Sequence, residues 1–127
     1  MVHRVVITGA GTINPLGHDV TTTFDAMKNG RCGIGLLDIR DVERLSIQIG
    51  GQVRDYCETQ YFNRQQIALY DRFTQFTLLA ARQAIAQAGL LFVGDLADHS
   101  GVILGTSGGG LNTVSYTHLT LPTTGDV

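Results

Sequence analysis

Short apolar runs alternate with longer amphipathic stretches in the first half of the chain. Residues 4–8, Arg-Val-Val-Ile-Thr, form an almost uninterrupted β-branched run, which predicts a strand buried on both faces. Asp19 is placed to cap a helix that runs to about Asn29, and Gly30 is placed to end it. Residues 46–49 alternate polar and apolar side chains and predict a strand with one solvated face.

The strongest amphipathic pattern lies in the second half and predicts one long helix. Asn63 and Gln66 have the spacing of a capping box at its start. Apolar residues then recur every three or four positions as one continuous stripe, and Gly89 is a suitable C-terminal stop. Residues 101–105, Gly-Val-Ile-Leu-Gly, predict a second buried strand.

The order strand, helix, edge strand, long helix and strand predicts an α/β fold. Strands that are buried on both faces need further strands beside them and helices over them. Residues 114–127 show no clear amphipathic helix and only a weak strand pattern, so they do not supply these partners. We therefore expect the chain to be an incomplete part of a larger fold.

Composition and charge narrow the functional classes. Hydrophobic residues make up 43% of the 127 positions, which fits a globular domain, and the formal net charge of −2 comes without a basic stripe. The sequence therefore predicts neither a nucleic-acid partner nor a membrane surface. The first apolar run is too short for a signal-peptide core, and only two cysteines are present, so the predicted location is the cytoplasm.

Gly9-Ala10-Gly11 follows a predicted strand and raises the possibility of a dinucleotide-binding turn. That fingerprint requires a third small residue where a helix begins, and here the position is occupied by Asn14. A structural turn is the favoured interpretation. A small nucleotide-binding or oxidoreductase domain that uses this turn is the alternative.

Candidate nucleophiles and metal ligands are sparse. Activation of a thiol needs a base or a cationic site, and the nearest histidine to Cys32 in sequence is His18. Cys57 has acidic neighbours, Asp55 and Glu58, which would disfavour a thiolate if they are near in space. The four histidines do not have ligand spacing. We predict no catalytic residue, no metal site and no cofactor in this chain.

The glycine-rich segment Gly105-Thr106-Ser107-Gly108 continues to Gly110 and lacks the Lys-Ser/Thr ending of a phosphate-binding P-loop. A loop of this kind after a buried strand either lines a ligand channel, where backbone must come close to a substrate, or serves structure alone. Both interpretations remain open on the residues themselves.

Four motifs together resemble the β-ketoacyl-acyl-carrier-protein synthases, condensing enzymes of type II. Residues 4–17, RVVITGAGTINPLG, resemble the opening strand and turn of that family, and residues 24–34, FDAMKNGRCGI, resemble its first helix and the turn that follows. Residues 70–76, YDRFTQF, resemble its Met-Asp-Arg-Phe helix, and residues 101–111, GVILGTSGGGL, resemble a later strand and loop. The four occur in the family order over about residues 3–112.

The resemblance implies the N-terminal part of a thiolase-like fold, with a mixed, largely parallel sheet covered by helices. It implies an acyltransferase of fatty-acid or polyketide biosynthesis that elongates acyl chains by decarboxylative Claisen condensation. Its partners are then acyl-carrier protein and acyl or malonyl thioesters, and the full-length enzyme is expected to be a homodimer. A non-catalytic partner with the condensing fold is a further alternative.

The resemblance assigns no catalytic role to any residue of this chain. The family cysteine lies in an elbow beyond residue 127 and the two histidines lie later still, while Cys32 corresponds to a turn position. Gly105, Thr106, Ser107 and Gly108 correspond to a loop beside the acyl pocket and are the expected substrate-channel residues. Gly108 stands where relatives carry a larger apolar gate residue, so a gate is not predicted there.

The last segment departs from the family pattern. Residues 114–123, VSYTHLTLPT, read like a translated sequencing-library adapter. We therefore predict a synthase fragment over residues 1–113 and a non-native tail over residues 114–127.

Overall fold

The computed structural model describes residues 4–110; the predicted tail, residues 114–127, lies outside them. The described elements include four α-helices and two short strands. In chain order they are α1 (Val20–Lys28), β1 (Ile34–Leu36), β2 (Ile49–Gly51), α2 (Arg64–Leu69), α3 (Arg72–Ala88) and α4 (Asp95–Asp98). Two 3₁₀ turns, Val42–Arg44 and Glu58–Gln60, stand before β2 and α2. The described elements combine helices with one small sheet. Within residues 4–110, no helix has both the length and the apolar character that a membrane span requires.

Helix α1 begins and ends where its sequence signals predict. The Asp19 carboxylate accepts hydrogen bonds from the Thr22 backbone N–H at 2.7 Å and from the Thr22 hydroxyl at 2.8 Å. These bonds, the backbone one foremost, hold the pKa of Asp19 below its usual 3.8. Gly30 takes a positive φ of 65° just after the helix, a conformation that glycine adopts without the steric cost of a Cβ.

The predicted long helix is broken in two, although both of its end signals are confirmed. The capping box between Asn63 and Gln66 is present, and Gly89 ends α3 in the left-handed conformation. Tyr70 is extended, with φ −101° and ψ 116°, so α2 stops at Leu69 and α3 starts at Arg72. The prediction of one continuous helix is wrong because an apolar stripe records which face is covered and does not record a change of direction.

Gln75 stabilises that break from inside the molecule. Its side chain is only 1% exposed. Its Nε2 donates to the Tyr70 carbonyl at 2.8 Å, and its Oε1 accepts the Tyr56 hydroxyl at 2.6 Å. Burial, reinforced by the Glu58 carboxylate, raises the pKa of Tyr56 above 10.0, so the phenol keeps the proton that it donates. The carbonyl freed by the break is therefore satisfied without water.

The strands of the sheet run antiparallel and are short. Ile34 pairs with Gly51, Gly35 with Gly50 and Leu36 with Ile49. The strand predicted at residues 46–49 is thus displaced and occupies Ile49–Gly51, with one further bond from the Leu37 N–H to the Gln48 carbonyl at 2.9 Å. This sheet is not the parallel sheet expected from residues 4–8 and 101–105.

Residues 4–8 and 101–105 are not strands in this structure, so both strand predictions are wrong for the described residues. Neither segment forms a backbone ladder with another described segment. Val5, Ile7 and Val102 are each 93% exposed, and Ile103 is fully exposed. The physical reason is that β-branched sequence favours extended backbone, whereas a strand also requires a neighbour to pair with.

The small core lies around the first half of α3 and the segment that leads into α2. Its buried residues are Ala26, Phe62, Gln75 and Leu79. Tyr56 stacks on Tyr61 with 5.9 Å between ring centroids and meets the Phe76 ring edge to face at 4.9 Å. This aromatic group fixes the first turns of α3, the end of the helix that approaches the glycine-rich loop.

Candidate functional site

The turn Gly9-Ala10-Gly11 lies directly against α3. A Cβ added to Gly9 would overlap the Ala84 carbonyl oxygen, and one added to Gly11 would overlap the Ala80 carbonyl oxygen. Backbone and helix approach so closely that only glycine fits at these two positions. The small side chains of α3 therefore leave room for the turn to pack on the helix. This packing supports the interpretation that both glycines have a structural role.

Two glutamines, one helical turn apart on α3, anchor the turn. The Gln87 Oε1 accepts the Ala10 N–H at 2.6 Å, and the Gln83 Oε1 accepts the Thr12 N–H at 3.1 Å. The Gln83 Nε2 also donates to the His18 carbonyl at 2.6 Å, so the same side chain ties the turn to the start of α1. A dinucleotide site would need free backbone amides aimed at the pyrophosphate. Here two of those amides are already bound to the protein.

We predict that NAD(P) does not bind to residues 1–127. The amides of Ala10 and Thr12 are engaged, and α1 starts nine residues after Gly11, too late to present its N-terminus to a pyrophosphate on this turn. Titration followed by nucleotide fluorescence should show no saturation. Saturable binding at micromolar NAD(P) that is lost in Gly11→Val would overturn this interpretation.

The predicted channel residues, Gly105 to Gly108, are all exposed. A Cβ added at Gly105 would meet nothing within 4 Å. The loop closes between Thr106 and Gly109, because the Gly109 N–H donates to the Thr106 hydroxyl at 3.0 Å. The loop then touches α3, since a Cβ at Gly109 would come within 2.8 Å of the Phe73 ring. The end of the loop thus lies against the first turn of α3, and residues 105–108 remain exposed.

A cavity of about 600 Å³ lies apart from that loop, at the N-terminus of α1. Its charged lining is balanced, with Arg31 and Arg54 against Asp19 and Asp55. Arg54 is tied in place, because its Nη2 donates to the Leu36 carbonyl at 2.5 Å and its own carbonyl lies 2.8 Å from the His18 Nε2. A balanced, open lining of this kind does not select for an anion or a cation.

Both cysteines of the chain lie within the described residues. Both are free and exposed, and the Cys32 sulfur accepts the Ile34 N–H of its own turn at 3.4 Å. Cys57 lies 3.1 Å from the Thr59 hydroxyl. Across residues 4–110, no group of three or more His, Cys, Asp or Glu side chains is placed to hold a metal ion.

Comparison with known proteins decides what the turn, the broken helix and the loop belong to. The sequence profile of the β-ketoacyl synthase N-terminal domain matches residues 2–125. The chain belongs to the β-ketoacyl synthase family. The family resemblance carried by the four motifs is confirmed. The profile match runs past residue 113, and the boundary drawn there stays a prediction.

Individual members of the β-ketoacyl synthase family give the scale of the match. The chain is 35% identical over 115 residues to the 3-oxoacyl-[acyl-carrier-protein] synthase 2 of Staphylococcus aureus strain N315, covering 91% of this chain and 28% of that protein. It is 38% identical over 108 residues to the enzyme of the same name from Synechocystis sp., covering 85% and 26% respectively. The chain therefore spans little more than a quarter of the length of these curated relatives.

Proposed function

We propose that this chain is the N-terminal part of an enzyme that elongates acyl chains in fatty-acid biosynthesis by decarboxylative condensation with malonyl-acyl-carrier protein. The observation that carries the proposal is the family match over residues 2–125, together with relatives named as 3-oxoacyl-[acyl-carrier-protein] synthases. The open glycine loop agrees with a segment that presents backbone to a substrate, and the anchored glycine turn agrees with a scaffold that supports it.

The proposed reaction takes place on groups beyond this chain. A thiolate of the complete enzyme attacks the thioester of the acyl-carrier-protein primer, forms an acyl-enzyme thioester and releases the carrier protein's thiol. Malonyl-acyl-carrier protein then loses carbon dioxide, and the resulting carbanion attacks the acyl carbonyl and expels the thiol. Histidine side chains and an oxyanion hole stabilise the charge that develops. The part left to residues 1–127 is to build one side of the fold and of the acyl channel.

Within that enzyme, we assign Gly105, Thr106, Ser107 and Gly108 to the wall of the acyl channel. Their exposure supports this role, because a loop with glycine at both ends offers backbone without bulk to an alkyl chain. The thiolase-like, largely parallel sheet would include residues 4–8 and 101–105. The apolar side chains of these two segments are exposed in the present structure. Acyl-carrier protein as partner, a homodimer and a cytoplasmic location belong to the same proposal.

A hybrid enzyme tests the proposal. Residues 1–113 replace the matching N-terminal segment of the Staphylococcus aureus synthase 2, and carbon dioxide release from malonyl-acyl-carrier protein is measured with an acyl-carrier-protein primer. We expect primer-dependent release well above that of the relative lacking its N-terminal segment. A soluble, cooperatively folded hybrid with no release above that control would contradict the proposed function.

A further inference from the structure

The first turn of α3 lies directly beneath the end of the glycine-rich loop. A Cβ built on Gly109 would stand 2.8 Å from Cδ2 and 2.9 Å from Cε2 of the Phe73 ring. The same Cβ would stand 2.7 Å from the Thr106 hydroxyl oxygen. Atoms at such separations overlap, so the loop reaches the ring only because position 109 has no side chain.

Both sides of this contact are held in place. The Thr106 hydroxyl accepts the Gly109 N–H at 3.0 Å, which closes residues 106–109 into a turn. Gly110 follows with φ 82°, a left-handed conformation, and a Cβ built there would still lie 3.7 Å from the Phe73 ring. On the helix side, the Phe73 carbonyl accepts the Thr77 hydroxyl at 2.8 Å. The Phe73 backbone is therefore held in place next to a turn that carries no bulky side chain.

The next residues of the helix hold the first turn of α3 in place. The buried Gln75 amide bonds to the Tyr70 carbonyl just before α3, and Phe76 is packed against Tyr56. Phe73 thus stands on a helix start that is tied to the core on the opposite side. With this start fixed, the ring can move only by rotation about its own side-chain bonds.

We propose that Phe73 is a positioning residue for the acyl channel. Its ring sets the distance between the Gly109 turn and helix α3, and through that turn it sets the backbone position of residues 105–108. This inference rests on the proposed function, because it assigns Phe73 a role in the channel that those residues line. Phe73 acts through the loop and is not a catalytic residue. Its effect is expected to depend on how far the acyl chain reaches along the loop.

A double-mutant cycle in the hybrid enzyme tests the inference. Gly109→Ala should lower kcat/KM about tenfold or more, since a Cβ has no room beside the ring, and Phe73→Leu in the same molecule should recover much of that loss, the coupling typical of residues in contact. The loss should differ between short and long acyl primers. Phe24→Leu, an exposed aromatic on α1, is the matched control and should give no recovery.

The outcomes separate this inference from the proposed function. Additive effects of the two substitutions, in activity and in the midpoint of thermal unfolding, would overturn the Phe73 assignment while leaving an active hybrid and the proposed function intact. Equal loss for every primer, in step with the unfolding midpoint, would reduce Phe73 to a structural residue and also overturn it. A folded hybrid that is inactive before any substitution would remove the proposed function itself.

Discussion

Residues 1–127 alone should release no carbon dioxide from malonyl-acyl-carrier protein, with or without an acyl primer. The reason is chemical: Cys32 and Cys57 are exposed thiols, and no residue of the chain is assigned the role of nucleophile or of general base. Removal of a nucleophile and its base together abolishes the covalent step, and only weak binding effects remain. The measurement is release of labelled carbon dioxide over background.

The control for this prediction is the double variant Cys32→Ala, Cys57→Ala. Catalytic release that persists in the variant would mean that the reaction has another nucleophile and that the family alignment is wrong. Release that disappears in the variant would mean that one of these two cysteines attacks the acyl thioester.

The second large effect concerns stability: the isolated chain should aggregate or lack a cooperative thermal transition. Val5, Ile7, Val102 and Ile103 are each at least 93% exposed. Burial of one such side chain contributes about 1.5–3 kcal/mol, so four leave about 6–12 kcal/mol unrealised. That is comparable to the whole net stability of a domain, about 5–15 kcal/mol.

Calorimetry and light scattering check this prediction. We expect a broad or absent transition together with a scattering signal that grows with concentration, because exposed strand-forming segments pair with other copies. A monomeric chain with one sharp transition would show that residues 1–127 complete a core of their own.

Local signals in the sequence predicted local structure well. Asp19, the pair Asn63 and Gln66, and Gly89 all mark real helix ends. Each signal acts within three or four residues, so it operates wherever the rest of the chain lies. The strand predicted at residues 4–8 is absent, because pairing of a strand depends on a neighbour that is distant in sequence.

The candidate site was only partly within reach of sequence reasoning. The loop at Gly105 to Gly108 was located from family motifs. The contact between Phe73 and Gly109 was not predicted, because Gly109 lies 36 positions after Phe73 and neither sequence pattern refers to the other. Gln83 and Gln87 were missed for the same reason. Their spacing of four residues places them on one helix face, but glutamine there equally describes a solvated surface.

We propose that residues 4–8 and 101–105 become strands only inside a complete synthase. Hydrogen–deuterium exchange of these two segments, in the isolated chain and in the hybrid enzyme, tests it most directly. We expect fast exchange of both segments in the isolated chain and slow exchange in the hybrid, where ladder hydrogen bonds protect the amides. Slow exchange in the isolated chain, or fast exchange in a folded and active hybrid, would contradict it.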